Sequence, residues 1–441
     1  MDQWTDLPDL PDPEADALLT LPAVLLAPLP ELAAAARANQ LLRDTCRLAE
    51  WAQGRKVTRA GRLSLPEARK AVTQLGLPGD QGPGRTPART AADFPELTEL
   101  WDYAVGAELI YAQSPAAVPG QGLGELRRDE DRDVCEIWAA FLDTALDRWF
   151  ETPPLDLGLI PAMLAIYLQP AGVTVDDIIV DAIEQHLESF KPELREVAAR
   201  NLAEVADPIL RELLGSLTAL GALEVEGDEV RVTPLGTFGL CQWFESLGLE
   251  APSVDSLSEA TAMQLLELGR DLKGPDELQA FFADWVSARG EQVASQELAL
   301  LARAGDRGQR STAFVLLDQI GDVAGPVVRR LLDEPLLRPQ AVAWLSMRGL
   351  EGPEPTPAEI QWATVEALVD LLELEPTQLG AVLGAVTAES ARGEVAIMLE
   401  QLGFSDHPQT VEVLELLAEH HPDPAAARAA RKAALRARSS R

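Results

Sequence analysis

Residues 207–236 carry helix and strand signals in immediate succession, and this order limits the folds that the chain can adopt. Leucines recur at helical spacing over residues 210–220, and Gly221 is placed to end that helix. Residues 223–232 then alternate apolar and charged side chains, which is typical of two short paired strands. The stretch therefore predicts a helix followed directly by a β-hairpin.

The turn and the next helix start can be placed within this stretch. Gly227 and Asp228 suit a two-residue hairpin turn, and Thr233 followed by Pro234 predicts a capped helix start. The hairpin then has one apolar face, which we expect to be buried on the preceding helix, and one charged face in water. The apolar face consists of Leu223, Val225, Val230 and Val232. This arrangement is a winged-helix-like core.

The rest of the first half resembles this order. Helices are predicted over residues 39–52, from a Ser64–Glu67 capping box onward, and over 94–107, followed by a strand over 109–113. Ala104–Ala107 and Ala219–Ala222 form a local sequence echo. These features predict tandem winged-helix-like units, with the alternative of one unit preceded by an unrelated helical domain. Gly120, Gly122 and Gly124 are interpreted as a turn-rich connector. Further helices are predicted over 31–37, 133–150, 159–168, 175–190, 192–205 and 207–220.

From about residue 256 onward the sequence predicts helices only, separated by glycines. Helices 323–332 and 338–348, and again 407–420 and 424–438, have the spacing of HEAT-like repeats, with a non-repeating helical bundle as the alternative. Thr356 and Glu359 form a capping-box pattern.

A length of 441 residues predicts about three domains, and 47% hydrophobic residues can form their cores. The predicted fold class is mostly α with small β-wings. The predicted division is an acidic Pro-rich segment over 1–37, a winged-helix-like unit over 38–152, a second one over 153–253 and an all-helical HEAT-like domain over 254–441.

Two patches resemble segments of uncharacterised actinomycete proteins. The first is WAQGRKVTRAGRLSLPEA, and the second is the terminal HPDPAAARAARKAALRAR. The matching positions of the first patch are Trp51, Gly54, Arg55, Val57, Thr58, Gly61 and Leu63. The resemblance covers about a tenth of the chain and implies a bacterial host and a helical-repeat tail. It assigns no site residue.

The net charge of −34 excludes a surface that coats nucleic acid, because such binding depends on neutralising phosphates. One basic island, between residues 54 and 92, departs from this balance. It is interpreted either as a contact for DNA or an acidic partner, or as a counterweight to the protein's own carboxylates. The island consists of Arg55, Lys56, Arg59, Arg62, Arg69, Lys70, Arg85 and Arg89.

Two other surfaces predicted from the sequence argue against DNA binding. Helix 94–107, which would be the DNA-recognition helix of the first unit, contains Glu96, Glu99 and Asp102 and no basic residue. The acidic tip around Gly227 would repel phosphate, so we expect this wing to contact protein or nothing.

Residues for catalysis or metal binding are few. The histidines are His186, His407, His420 and His421, and the cysteines are Cys46, Cys135 and Cys241. They form no known catalytic or zinc motif, and no phosphate-binding glycine loop is present in the sequence. We expect no catalytic, metal or cofactor site, reduced thiols and a cytoplasmic protein without a membrane span.

The sequence therefore predicts a non-enzymatic interaction protein whose partner is another protein. A winged-helix transcriptional regulator that binds DNA through the basic island is the first alternative. An enzyme with an unrecognised site, built on paired carboxylates or His186, is the second. The oligomeric state stays open.

Overall fold

The structure is a computed structural model that describes residues 20–79, 88–113, 115–150, 155–188, 191–270, 272, 274–369 and 394–439. It is mostly helical with small sheets, which confirms the mostly-α prediction. The chain forms two compact units, Met1–Ser256 and Leu257–Arg441. The predicted segments 38–152 and 153–253 both lie within the first unit.

The first unit contains ten helices and seven short strands among the described residues. The helices are α1 (Leu29–Ala38), α2 (Gln40–Ala52), α3 (Leu65–Leu75), α4 (Pro95–Gly106), α5 (Gln121–Arg128), α6 (Asp131–Phe150), α7 (Leu155–Leu168), α8 (Val175–Glu188), α9 (Arg195–Ala219) and α10 (Pro234–Ser246). The strands are β1 (Val24–Leu25), β2 (Ile110–Gln113), β3 (Ala116–Pro119), β4 (Val173–Thr174), β5 (Leu223–Glu226), β6 (Glu229–Val232) and β7 (Ser253–Val254).

The predicted hairpin is confirmed as β5 and β6. Leu223 pairs with Val232 and Val225 with Val230, in antiparallel register around the predicted turn. The sequence did not predict β4, which pairs antiparallel with β6 and gives the sheet order β4-β6-β5. Thr233 caps α10 as predicted, since its hydroxyl accepts from the Gly236 N–H at 2.9 Å.

One helix replaces the two that were predicted before the hairpin. α9 is continuous through Pro208, although a proline removes one backbone hydrogen bond and usually ends a helix. The half of α9 after Pro208 buries a row of leucines, and this packing holds the helix together. These leucines are Leu210, Leu213, Leu214 and Leu217.

The segment before α6 has the same order of elements. α2 is followed by Lys56, which bridges Ala116 of β3, then by α3, α4 and the antiparallel hairpin β2–β3. The strand predicted over 109–113 is confirmed as β2, whereas β3 was not predicted. The connector predicted around Gly122 is wrong, because this glycine lies in α5.

The Ser64–Glu67 capping box is also wrong. Ser64 caps α3 without a side-chain hydrogen bond, and the carboxylate of Glu67 instead binds Lys70 at 2.8 Å and Arg55 at 3.4 Å. The Ser64 N–H, which a capping box would pair with Glu67, donates to the Lys56 carbonyl at 3.2 Å instead.

The first set of elements, from α2 to the β2–β3 hairpin, and the second set, from α7 to the β5–β6 hairpin, share hydrogen bonds at equivalent positions. The Leu109 N–H donates to the Ala104 carbonyl where α4 ends, and the Ala222 N–H donates to the Leu217 carbonyl where α9 ends. Residues of the helix end and of the hairpin are 113 positions apart in the two sets, as 104 is from 217. Lys56 and Thr174, which pair with the equivalent residues Ala116 and Glu229, are 118 positions apart. The left-handed residue of each helix end is therefore Glu108 (φ 51°) in one set and Gly221 (φ 72°) in the other. The sequence echo pairs Ala104 with Ala219, whereas the structure pairs Ala104 with Leu217. The echo is therefore shifted by two positions from the structural equivalence.

α6 lies at the centre of the first unit and contacts α1, α4, α5, α7, α9 and α10. Its Trp138 is fully buried and donates from Nε1 to the Leu220 carbonyl at 3.0 Å. Phe141 stacks on Tyr103 of α4, with ring centroids 5.2 Å apart. A side chain at Gly239 of α10 would collide with Trp138, so the close approach of α10 to α6 requires glycine.

The second unit is helical throughout its described residues, as predicted. Its helices are α11 (Ala262–Leu268), α12 (Pro275–Arg289), α13 (Glu291–Ala304), α14 (Arg307–Ile320), α15 (Gly325–Leu331), α16 (Arg338–Met347), α17 (Pro357–Val369), α18 (Glu394–Leu402), α19 (Thr410–His420) and α20 (Pro424–Ser439). Several pairs of helices adjacent in sequence pack on each other, namely α12 with α13, α13 with α14, α15 with α16, α16 with α17 and α19 with α20. The capping box of Thr356 and Glu359 is confirmed.

The hairpin yields a prediction that separates two neighbouring valines. Val230 is 0% exposed in the middle strand, whereas Val225 on the edge strand is 38% exposed, which corrects the expectation that both are buried. We expect Val230→Asp to destabilise the first unit by about 3–5 kcal/mol, because it buries an unpaired carboxylate. Val225→Asp should cost about 1 kcal/mol, since its carboxylate stays in water. Urea unfolding followed by tryptophan fluorescence measures both.

Glu226→Lys is the control for this pair. Its carboxylate is exposed and lies 3.6 Å from Arg231, so its loss should change the free energy of unfolding by less than about 0.5 kcal/mol. Equal effects of the two aspartate variants would contradict the placement of β6 in the middle of the sheet and β5 at its edge.

Candidate functional site

Much of the basic island is matched by the protein's own carbonyl and carboxylate oxygens. Arg55 and Lys70 both bind Glu67, and these partners, with Lys70 contributing most, lower the pKa of that carboxyl. Arg62 binds Asp102 of α4, and Arg69 donates to the Ala88 carbonyl at 3.0 Å. The guanidinium of Arg55 also stacks on Trp51, 4.5 Å from the ring centroid.

Three members of the island keep exposed side chains that a partner could contact. Lys56 and Arg59 are exposed and form no ion pair with the described residues. Arg89 is exposed beside Asp93, whose carboxylate accepts from the Arg89 backbone N–H at 2.6 Å. Arg85 lies outside the described residues. The structure therefore leaves a much weaker positive surface than the sequence suggests.

The helices that would read DNA in a winged-helix unit present acidic or neutralised surfaces. On α4, Glu96 is exposed, and Glu99 and Asp102 are half-buried. In the second half of α9, Arg211 binds Asp207 at 2.9 Å and Asp228 of the hairpin turn at 3.4 Å. A guanidinium held by two carboxylates is a poor ligand for phosphate.

The tip of the β5–β6 hairpin carries its own counter-charges. Arg231 lies 2.8 Å from Glu229 and 3.6 Å from Glu226, and Arg211 reaches Asp228. The tip is therefore less negative than the sequence alone indicates, although its acidic residues still outnumber its arginines.

The three thiols are protected by burial. Burial raises the pKa of Cys46, Cys135 and Cys241 to about 11 in each case, so the thiolate is scarce at neutral pH. Cys241 also lies 3.2 Å from the Tyr167 hydroxyl in the core. These environments suit structural cysteines and not nucleophiles.

The second unit contains a buried histidine–glutamate pair that sequence reasoning did not find. His407 Nε2 lies 2.6 Å from Glu366 Oε2, and the Gln409 N–H donates to His407 Nδ1 at 3.1 Å. The proton therefore lies on Nε2, and Trp362 packs edge-on against the ring. Glu366 Oε1 is buried without a hydrogen-bond partner among the described residues. Both ring nitrogens of His407 are already engaged, which leaves neither for a substrate.

A small cavity of about 380 Å³ beside α7 and α8 contains two carboxyl groups. Its polar lining residues are Asp181, Glu184 and Gln169. Burial, and secondarily the charge of Glu184, raise the pKa of Asp181. Paired carboxyl groups are the feature that the enzyme alternative requires. The lining of this cavity, however, contains no nucleophile and no basic side chain that could act with them. His186 has no described side-chain position.

A larger groove, of about 810 Å³, lies between α1 and β5 and is called the α1–β5 groove. The N-terminal end of α10 closes one side of it. The groove is lined by Ala27, Glu31, Leu32, Ala35, Ala38, Asn39, Thr218, Gly221, Leu223, Glu224, Val225, Glu226, Thr233, Pro234 and Leu235. Its charged residues are therefore all glutamates. Sequence reasoning missed this site because it joins elements that are distant in the chain.

Comparisons with known proteins add nothing to these sites. The chain matches no protein-family model, no curated protein and no solved structure. Among the described residues, no three His, Cys, Asp or Glu side chains are placed to hold a metal ion. No helix in the same residues is long and apolar enough to cross a membrane.

The histidine–glutamate pair yields a stability prediction. His407→Ala removes a buried ring and leaves the Glu366 carboxylate without its donor, so we expect a loss of about 3 kcal/mol in the second unit. His420→Ala is the control, because that side chain is partly exposed and should cost less than about 1 kcal/mol. Urea unfolding measures both, and a similar loss in the two variants would show that the pair contributes nothing specific.

A second prediction concerns DNA. We expect no retardation of genomic DNA fragments in mobility-shift assays at roughly 150 mM salt, because only part of the basic island is available to phosphates. Lys56→Glu with Arg59→Glu is the matched variant, since reversal of Arg62 would also break its ion pair with Asp102. Retardation by the unaltered protein that this variant abolishes would support the regulator instead.

Proposed function

We propose that this chain is a non-enzymatic interaction protein, in which two winged-helix units and a helical-repeat segment present surfaces to another protein. The repeated order of helix, strand, two helices and hairpin supports the winged-helix assignment. In the first set the isolated bridge residue Lys56 pairs with Ala116 in the second strand of the hairpin, and in the second set the strand β4 pairs with β6. The spacing of 113 positions between the helix ends and between the hairpins of the two sets supports a tandem origin for the two units.

The helical-repeat assignment is supported by the packing of the second unit. Its successive helices contact each other, and Gly321 and Gly349 end two of them in left-handed conformations. Stacked helix pairs of this kind form extended surfaces that are suited to binding proteins.

One observation carries the choice of protein over DNA as the partner. The face of α4 and the second half of α9, which would enter the major groove of DNA, have carboxylates or arginines already bound to carboxylates. DNA binding needs free positive charge at that place, whereas a protein partner does not. The buried thiols and the fully engaged ring of His407 favour a role in binding over a role in catalysis.

Affinity purification tests this proposal. The tagged full chain, expressed in the organism that encodes it, should recover at least one protein in stoichiometric amount at roughly 150 mM salt. Nuclease treatment is the control and should leave that recovery unchanged. Recovery of no stoichiometric protein under several conditions, or a recovery that nuclease abolishes, would contradict the proposal.

A further inference from the structure

We infer that the α1–β5 groove binds an extended, positively charged segment of a partner protein, which pairs with β5 and continues the sheet. This inference rests on the proposed role in protein binding and specifies the chemistry of the partner. It concerns a surface that lies entirely within the first unit.

β5 provides the first requirement, a strand edge with backbone groups to offer. In the order β4-β6-β5, no strand of the described residues pairs with the outer side of β5. The Thr233 N–H donates to the Ala222 carbonyl. This bond shows which residues of β5 direct their backbone groups towards β6, because such residues alternate along the strand. Glu224 and Glu226 therefore bond to β6, whereas the N–H and C=O groups of Leu223 and Val225 point towards the outer edge. An added strand would satisfy these groups.

The walls of the groove provide the second requirement, an apolar surface with room for side chains. α1 contributes exposed Ala35 and Ala38, whose small side chains leave the space open. Val225 is partly exposed on the opposite wall, and buried Leu223 lies below it. In an extended segment, alternate side chains point to the same side and can enter this space together.

Charge provides the third requirement and decides the chemistry of the occupant. Glu31, Glu224 and Glu226 line the groove, and neither lysine nor arginine does. Arg231 lies near Glu226, but Glu31 and Glu224 form no ion pair with the described residues. A segment that places Lys or Arg between its apolar residues complements this lining.

The same charge disfavours the chain's own first residues as the occupant. Residues 1–19 contain no lysine or arginine. Their acidic residues are Asp2, Asp6, Asp9, Asp12, Glu14 and Asp16. These carboxylates would be repelled by the three glutamates of the groove, so a segment of another protein is the better match.

The test uses the full chain and a fluorescein-labelled peptide of alternating valine and arginine, about eight residues long. Fluorescence anisotropy should show saturable binding. The double variant Glu31→Lys and Glu224→Lys should weaken it about tenfold, because two complementary charges become repulsive. Ala35→Trp, which fills the groove at an exposed position, should weaken it by a similar factor.

Two controls separate groove binding from attraction to an acidic protein. Glu136→Lys with Glu204→Lys makes the same charge change at exposed positions outside the groove, and it should leave the affinity within about twofold. A peptide with alternate backbone amides methylated keeps its side chains but cannot pair with β5, and should not bind. Equal weakening by both double variants, or equal binding of the methylated peptide, would overturn the inference.

Two further outcomes distinguish this inference from the proposed function. If affinity purification recovers the same partner with the Glu31→Lys and Glu224→Lys variant, the interaction role stands and the groove is not its site. If the chain instead forms a dimer that this variant dissociates, the occupant is a second copy, which contradicts a basic partner.

Discussion

The burial of α6 is the constraint on which the first unit depends. This helix contacts helices from both sets of elements that precede a hairpin, and its aromatic side chains link them directly. Phe141 stacks on Tyr103 of the first set, and Trp138 donates to the carbonyl of Leu220 in the second. An indole N–H buried this deeply needs an acceptor, and the end of α9 supplies it. The position of the second hairpin is therefore coupled to a helix that follows the first.

Charge is balanced locally although the whole chain is strongly acidic. Arg55 and Lys70 share Glu67, Arg62 binds Asp102, and Arg211 links α9 to the hairpin turn. Exposed pairs of this kind contribute little to stability individually. Their effect on function is larger, because an arginine that already has a carboxylate partner is less available to phosphate. Local charge counts along a sequence cannot show this, since Arg55, Arg62 and Arg211 have carboxylate partners on other elements.

The features that could be predicted from sequence are those with a local physical cause. The β5–β6 hairpin was predictable because alternation and a glycine turn specify it within ten residues or so. β3 was missed because its Ala–Ala–Val–Pro sequence has no alternation, and β4 because two residues are too few to show any. The predicted break between helices 192–205 and 207–220 was wrong, because burial of the leucines after Pro208 outweighs the local preference of proline.

The candidate sites were harder to predict for the same reason. The α1–β5 groove needs two elements that are far apart in the chain, and the contact between His407 and Glu366 joins the loop before α19 to α17. The basic island was visible in the sequence, but its partners Asp102 and the Ala88 carbonyl were not. The exposure of Val225 also depends on its edge position, which alternation alone does not reveal.

The shared helix α6 has a consequence for how the first unit comes apart. Two domains joined only by a linker can melt separately, each with its own transition. Here the core residues of both sets form one continuous cluster around α6, and Gly239 of α10 packs directly against its Trp138. Loss of either set exposes the same buried helix to water, so the two should melt in a single cooperative step. The two sets of elements therefore form a single folding unit.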